Sequence, residues 1–245
     1  MKTLVLQSHR NPLPFGWLKP CTASVKHWAE MNDFDYRFMD DELFSLVAED
    51  LRLKFASQVV ILTDLARVLW MRELLQQGYH TVIWFDADSL VFKPSKLQLP
   101  DTNYALGREV WVQKDNKNKP RAYRKVHNAF LMFRQANAFL DFYIETADRL
   151  LHLNEGNVPP QFIGPKLLTA LHNIAHCPVM ETAGMLSPLV IKDILAGGGQ
   201  ALDLFRKVSP HEIYAANLGA SVALKEGITE QEMLEFIGAA SSHSF

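Results

Sequence analysis

The sequence is organised around residues 81–92, an apolar run interrupted by two carboxylates. Residues 81–85 are β-branched or aromatic without polar alternation, which is typical of a strand covered on both faces in a parallel sheet. Asp86 and Asp88 follow, and the single residue between them places both side chains on one face of an extended chain. Two adjacent carboxylates repel unless a cation neutralises them, and oxygen ligands suit Mg²⁺ or Mn²⁺. The pattern predicts a cation site, with solvated turn residues as the alternative interpretation.

The composition limits the classes of protein to consider. With 245 residues and 48% apolar content, the chain can form one large α/β domain. The formal net charge of −2 excludes nucleic-acid binding driven by net charge. Cys21 and Cys177 lie far apart in no metal-binding pattern, and no apolar run approaches the ~20 residues of a membrane span. We expect a cytoplasmic protein without a transmembrane segment, and peripheral contact with the inner face of a membrane stays open.

The residues before the central run predict one β-α-β unit. Residues 3–6 form an apolar strand that ends in a polar segment, 7–12, suited to a ligand-binding loop. Residues 17–31 have helical periodicity, and residues 35–39 alternate like a strand before an acidic turn at 40–42. Residues 42–54 predict a further helix.

A strongly amphipathic helix is predicted for residues 63–75, with Thr63 as N-cap and Gly78 as the C-terminal stop. Asp64 and Arg67 are three residues apart and share one face of its first turn. Alone, this pair would indicate a surface salt bridge worth about 0.3 kcal/mol. Because the helix leads directly into the Asp86 strand, we expect its first turn to point towards the ligand edge.

The second half of the chain predicts two strands, a basic segment and two helices. The strands are predicted at 104–112 and 126–133, and the polar, basic residues 114–125 between them are expected to form a solvated loop or a flexible lid. Helices are predicted at 139–153 and after residue 159. In the latter segment Gly164 permits close backbone approach to a ligand, and Pro165 suits helix position N1.

The order Thr63-Asp-x-x-Arg67, helix, Gly78-Tyr, apolar strand, Asp86-x-Asp88 resembles the nucleotide-sugar-dependent glycosyltransferases of GT-A fold. The resemblance is greatest to the group with a DXD-containing sugar-binding region, which includes capsular polysaccharide transferases, α-mannosyltransferases and, more distantly, clostridial toxin glucosyltransferases. It implies a single α/β domain, with a Rossmann-like, mixed but mainly parallel sheet flanked by helices, over residues 1–245. Residues 1–95 would form the nucleotide-binding half, ending in the DXD motif, and residues 96–245 the sugar and acceptor half.

The resemblance also implies the reaction and its residues. It implies metal-assisted transfer of a sugar from a nucleotide-diphosphate sugar to a hydroxyl acceptor, such as a glycan or a lipid-linked sugar. It also implies retention of anomeric configuration and a role in polysaccharide biosynthesis. Asn217 stands where the family commonly has a metal-binding His, whereas the family's terminal Ser-x-Trp is absent. The implied residues are Asp86, Asp64, Arg67 and Asn128 for catalysis; Gln7, Ser8, Tyr36, Asp40, Thr63, Trp84, Gly164 and Pro165 for donor binding; and Asp86, Asp88 and Asn217 for Mn²⁺ or Mg²⁺.

Two other hypotheses stay open at the level of sequence. Residues 83–91 also resemble the nucleophile strand of haloacid-dehalogenase-type phosphatases, although no Asp-Asp pair follows Asp88 to complete the Mg²⁺ site of that family. A non-catalytic module that binds a sugar nucleotide or a protein could use the same fold.

Overall fold

The computed structural model describes residues 1–240 of the chain. Its strands are β1 (Thr3–Ser8), β2 (Asp35–Met39), β3 (Thr81–Phe85), β4 (Ser89–Val91), β5 (Tyr104–Lys114), β6 (Pro120–Arg134), β7 (Val179–Met180), β8 (Ala183–Met185) and β9 (Ala215–Asn217). Its α-helices are α1 (Leu18–Met31), α2 (Glu49–Lys54), α3 (Val59–Gln76), α4 (Ala138–Leu153), α5 (Leu167–Ala175), α6 (Pro188–Leu195), α7 (Gln200–Val208), α8 (Ala220–Ala223) and α9 (Glu230–Ala240). A 3₁₀ helix at Asp41–Leu46 and a π-helical turn at Phe162–Lys166 complete the set.

The main sheet has the strand order β2-β1-β3-β6-β5-β7. Strand β1 pairs in parallel with both β2 and β3, whereas β6 runs antiparallel between β3 and β5, and β7 is parallel to β5. All strands of this sheet except β6 therefore point in one direction. This confirms the α/β fold with a mixed, mainly parallel sheet.

Alternate side chains of the central strands enter two different cores. Val82 and Trp84 of β3 pack into the core formed with α3, α4 and α5. Ile83 and Phe85 face the opposite core, where Trp28 of α1 meets Phe85 edge to face with ring centroids 5.6 Å apart. Both faces of β3 are thus covered, which is why its sequence is apolar without alternation.

A smaller sheet and a third core hold the C-terminal half against the main sheet. The small sheet has the order β4-β9-β8 and sets Ser89 opposite Asn217. Helices α6, α7 and α9 pack on the far part of β5 through Val110 and Val112. The small sheet therefore carries Asn217 to the chain segment that follows Asp88.

Two helix predictions are wrong in part. Helix α3 begins at Val59, so Thr63 is not its N-cap; the Thr63 hydroxyl donates to the carbonyl of Val59 at 3.0 Å, one turn back inside the helix. Asp64 and Arg67 consequently lie beyond the first turn. The helix predicted at residues 42–54 is divided into the 3₁₀ helix and α2, because the backbone at 47–48 is extended.

The basic segment at residues 114–125 is not a loop or a lid. Strands β5 and β6 pair from Gly107 and His127 out to Lys114 and Pro120, with a turn at residues 115–119. This part of the hairpin, residues 107–127, is called the arm below. Its ladder of backbone hydrogen bonds gives it regular structure despite a polar sequence with little apolar patterning.

Pro165 does not occupy position N1 of α5. The Lys166 amide bonds five residues back to the carbonyl of Gln161 at 3.1 Å, so Pro165 lies in a wider π-helical turn. Gly164 has non-helical backbone angles within that turn (φ −90°, ψ −117°). Within residues 1–240, no helix combines the length and apolarity required to cross a membrane.

Candidate active site

The carboxyl ends of β1, β2 and β3 meet at one edge of the main sheet, where open α/β folds bind ligands. Gln7 is fully buried at the end of β1 and connects all three strands. Its amide nitrogen donates to the carbonyl of Asp86 at 3.1 Å, and its amide oxygen accepts from the Tyr36 hydroxyl at 3.0 Å. Burial raises the pKa of Tyr36, so the hydroxyl keeps its proton and acts as the donor. Gln7 thereby fixes the backbone from which Asp86 projects.

A buried arginine lies between two carboxylates beside this edge. Arg67 Nη1 donates to Asp86 Oδ1 at 2.8 Å and to the carbonyl of Asn128 at 2.7 Å, and Nη2 lies 3.0 Å from Asp64 Oδ1. The side chains of Arg67 and Asp64 are each 4% exposed. Burial lowers the pKa of Arg67, but the charges of Asp86 and Asp64 more than offset this and raise it overall. The guanidinium is therefore charged, and its position holds both carboxylates in fixed orientations.

Trp84 lies beneath the carboxylate of Asp86 and is 1% exposed. Its indole nitrogen donates to Asp86 Oδ1 at 2.7 Å, and the Arg67 guanidinium stands 5.0 Å above its ring. The oxygen Oδ1 of Asp86 thus takes donors from both Trp84 and Arg67. No donor within residues 1–240 forms a hydrogen bond with Asp86 Oδ2.

Asn128 and Gly164 enclose the Asp64 carboxylate from the other side. Asn128 Nδ2 donates to Asp64 Oδ1 at 2.8 Å, and burial raises the pKa of Asp64. A Cβ atom on residue 164 would lie 2.6 Å from Asp64 Oδ2 and 2.7 Å from Asn128 Nδ2. Both distances are shorter than any normal contact, so only glycine fits there without displacing Asp64 and Asn128.

Asp88 is held by the small sheet and by the segment after it. Asn217 Nδ2 donates to Asp88 Oδ1, and the amide of Ala220 donates to Asp88 Oδ2 at 2.7 Å. The carbonyl of Asp88 accepts from the amide of Leu218 at 3.0 Å. Burial and then the charge of Asp86 raise the pKa of Asp88 to about 6, with these hydrogen bonds acting in the opposite direction. Asp86 and Asp88 therefore carry mutually unfavourable negative charge, which a shared cation would relieve.

Asp86 and Asp88 offer oxygen atoms of the kind that hard divalent cations prefer. Within the described part of the chain, no group of three or more His, Cys, Asp and Glu side chains is arranged to hold a metal. Magnesium-type ions at phosphate sites commonly use one or two carboxylates, and the substrate phosphates and water supply the remaining ligands. Asp86 and Asp88 match that pattern. Asn217 Nδ2 donates to Asp88, and Asn217 Oδ1 accepts from the Gly219 amide at 2.9 Å, so Asn217 orients Asp88 in this structure.

The remaining predicted residues lie around this centre without a direct bond to either Asp86 or Asp88. Ser8 is half-buried at the end of β1, and Asp40 is exposed after β2, where its side chain accepts from the Glu42 amide at 3.2 Å. Thr63 is half-buried on α3, and its carbonyl accepts from Arg67 Nε at 3.4 Å. Pro165 follows Gly164 in the π-helical turn.

Two further groups contribute to the site. The Ala220 amide contributes through its backbone, and the only signal for it is Gly219 in the left-handed conformation (φ 62°) before the short α8. His127 is buried beside Asn128; its Nδ1 accepts from the Ala129 amide at 3.0 Å and its Nε2 lies 3.3 Å from the carbonyl of Ala183. Burial lowers the pKa of His127 to about 4, so the ring is neutral and connects β6 to β8.

Comparison with known proteins defines the fold. No family model and no curated protein sequence matches the chain. Among solved structures, a glycosyltransferase involved in glycosylation of the major capsid of PBCV-1 aligns with a TM-score of 0.50 and 12% identity, covering 97% of this chain and 99% of that one. The galactosyltransferase LgtC, solved with donor and acceptor sugar analogues, aligns with a TM-score of 0.49 and 11% identity over 96% of this chain and 95% of that one. The alignment with the PBCV-1 glycosyltransferase indicates a GT-A-like fold for this chain.

Proposed function

We propose that the chain transfers a sugar from a nucleotide-diphosphate sugar to a hydroxyl acceptor, with retention of anomeric configuration. The observation that supports this best is the buried network in which Arg67 holds Asp64 and Asp86, next to Asn128 and at the carboxyl edge of β3. Buried ion pairs are costly unless fully bonded, and they contribute little to stability compared with apolar residues of the same size. An arrangement of this kind is more often found at a site that needs oriented carboxylates.

The proposed roles rest on the family resemblance together with the positions of these groups. Asp64 binds sugar hydroxyls, Arg67 orients Asp64 and Asp86, and Asn128 lines the reaction centre. Gln7 at the end of β1, its partner Tyr36 on β2 and Asp40 directly after β2 would contact the nucleotide. Asp86 and Asp88 would hold a divalent cation, which when bound supplies positive charge against the diphosphate leaving group. Gly164 allows Asp64 and Asn128 to keep these positions.

The proposal is tested by release of nucleoside diphosphate from a panel of nucleotide sugars with Mn²⁺. One donor should be turned over, and Asp88→Ala and Asp64→Asn should each lower kcat/KM by about a hundredfold or more. Asp203→Ala, an exposed carboxylate on α7, is the matched control and should leave turnover unchanged. Turnover of the donor by Asp88→Ala at the wild-type rate would refute the role of Asp88.

Two further assays separate this proposal from the non-catalytic module and from the phosphatase. A non-catalytic module would bind a nucleotide sugar in calorimetry and release no diphosphate. A phosphatase would hydrolyse p-nitrophenyl phosphate and lose that activity in Asp86→Asn. Against the phosphatase, no Asp-Asp pair follows Asp88 in the sequence to complete the Mg²⁺ site of that family.

A further inference from the structure

The arm carries most of the unbalanced positive charge of this chain. Residues 113–125 contain six basic residues and one acidic residue, a formal excess of five positive charges, whereas the whole chain has a net charge of −2. The remaining residues therefore have a net charge of −7. A separation of charge of this size creates a local positive potential that attracts anions, although the protein as a whole is slightly acidic. The basic residues are Lys114, Lys117, Lys119, Arg121, Arg124 and Lys125.

The arginines of the arm are paired, and three of its lysines are not. Arg121 Nε bonds to Asp115 Oδ2 at 3.1 Å, and Arg124 lies 3.7 Å from Glu181. Among residues 1–240, no carboxylate forms a salt bridge with Lys114, Lys117 or Lys119, all of which are exposed. Asp115 also accepts the amides of residues 117 and 119 at 2.8 and 3.0 Å, which fixes the turn that presents these lysines. The three unpaired lysines are therefore presented by a turn of defined structure.

The end of the arm is concave and contains an aromatic ring. An open concavity of about 340 Å³ lies there, which is within the range of ligand sites. Its wall combines lysines and an arginine with Tyr123, whose ring is 41% exposed. The lining residues are Gln113, Lys114, Asp115, Asn116, Lys117, Arg121 and Tyr123.

One face of the arm connects this concavity with the proposed active site. Opposite residues of an antiparallel pair share a face, as do alternate residues along each strand. The pairs Gln113–Arg121, Trp111–Tyr123, Glu109–Lys125 and Gly107–His127 therefore share one face, and Lys114, which pairs with Pro120 on the other face, reaches the concavity at its end. The six residue steps from 121 to 127 span about 20 Å.

Trp111, on this same face, lies beside the segment that holds Asp88. A Cβ atom on Gly219 would be 3.7 Å from the Trp111 ring, and the next residue, Ala220, donates its amide to Asp88. The face therefore leads from the basic concavity to the segment that binds the Asp88 carboxylate. A chain-like ligand bound along it would present one end to the transferred sugar.

From this arrangement we infer that the arm binds a negatively charged glycan chain as the acceptor, with Lys114, Lys117 and Lys119 contacting its anionic groups and Tyr123 stacking on a sugar ring. This inference rests on the proposed glycosyl transfer, and it specifies the acceptor as anionic. An anionic membrane surface fits less well. Membrane-binding segments carry several exposed large apolar side chains, whereas Tyr123 is the one such side chain within residues 113–125, and the surface is concave.

The test measures binding of a labelled polygalacturonate oligosaccharide to the full chain by fluorescence anisotropy. A neutral malto-oligosaccharide of equal length and vesicles containing phosphatidylglycerol are compared with it. We expect the wild type to prefer the polygalacturonate, and its affinity to fall as NaCl rises from about 50 to about 200 mM. The triple variant Lys114→Gln, Lys117→Gln, Lys119→Gln should bind about tenfold more weakly, and Tyr123→Ala should also weaken binding.

Matched variants separate the position of the charges from their number. Lys19→Gln, Lys26→Gln and Lys207→Gln together remove three exposed lysines elsewhere and should bind as the wild type does. The Lys→Arg triple at 114, 117 and 119 keeps the charge and should also bind, even if the Gln triple proves unstable in melting experiments. Wild-type affinity in the Gln triple, equal binding of the neutral oligosaccharide, or binding to vesicles alone would each overturn the inference. Because the assay contains neither donor nor Mn²⁺, failure of the proposed transfer reaction would not alter its result.

Discussion

Arg67 is the residue on which the geometry of the candidate site depends most. It contacts Asp64, Asp86, the carbonyl of Asn128 and the ring of Trp84. The three-residue spacing from Asp64 predicts that these two side chains share a helix face, but it does not predict their burial. Helix α3 has buried residues around most of its circumference, so it offers no polar stripe from which an interior arginine could be distinguished from a surface one.

Replacing Arg67 with methionine is expected to lower the free energy of unfolding by about 3–5 kcal/mol, because it leaves two carboxylates without their charged partner. Urea unfolding followed by circular dichroism measures the change. Arg72→Met is the matched control: Arg72 is half-buried on the same helix and forms no salt bridge with any residue that the structure describes. It should change stability by about 0.5 kcal/mol or less. A loss below about 1 kcal/mol in Arg67→Met would contradict the buried network.

Gly164→Ala is expected to impair donor binding more than it impairs folding. The new methyl group would come within 3 Å of Asp64 Oδ2 and Asn128 Nδ2, so both side chains must move. Displacement of groups that position a substrate by about 1 Å can cost about a hundredfold in rate. Steady-state kinetics with the active donor tests this. Gly238→Ala on α9, where a Cβ atom meets nothing within 4 Å, should retain full activity; normal kinetics in Gly164→Ala would show that the close approach is not required.

At the scale of elements, the sequence predicts those strands and helices whose buried faces leave a clear pattern of apolar residues. Strands β1, β2 and β3 and helices α1 and α4 lie where predicted, since each has a continuous apolar run or an amphipathic stripe. The first turn of α3 is apolar, and its N-cap Gln58 makes no side-chain cap hydrogen bond, so the sequence favours Thr63 as the start. Strands β4, β8 and β9 have three residues each, too few for any periodicity. The arm depends on backbone pairing, which polar residues do not reveal.

The link between β6 and β8 through His127 should be sensitive to acid. Burial lowers the pKa of His127 to about 4 from the usual 6.5, so between these values the unfolded chain binds a proton that the folded chain does not. Stability from this group is fully present above pH 6.5 and is lost as the pH falls towards 4. We expect the stability difference between wild type and His127→Gln to shrink between about pH 7 and pH 4.5 in urea unfolding.

The exposed His27 provides the control for that series, since His27→Gln should alter stability by less than about 0.5 kcal/mol. The comparison uses differences between proteins, so other groups that titrate in the same range cancel. If the wild type and His127→Gln lose stability in parallel as the pH falls, His127 does not titrate as the structure implies.

At the scale of the whole molecule, the candidate site brings together residues from Gln7 to Asn217. Most of its contacts between residues far apart in the sequence come from loops or short elements. The order of motifs along the chain is sufficient to select Asp64, Arg67, Asp86, Asp88 and Asn128 as candidates. Motif order does not reveal which atoms they bond to. The pairing of Asp88 with Asn217 and the Ala220 amide depends on the small sheet, whose strands come from distant parts of the chain.

Donor and cation together should stabilise the whole molecule, and the effect should depend on pH through Asp88. Because burial and the charge of Asp86 raise the pKa of Asp88 to about 6, its carboxylate competes poorly for Mn²⁺ at about pH 5 and well at about pH 7.5. A ligand at a hundred times its Kd adds about 2.7 kcal/mol to the free energy of unfolding, or about 5–10 °C in Tm for a domain of this size. We expect a Tm shift of this order at the higher pH and a much smaller shift at the lower pH. In Asp88→Asn, adding Mn²⁺ should produce no further shift in Tm. Equal shifts at both pH values would show that Asp88 does not bind the cation.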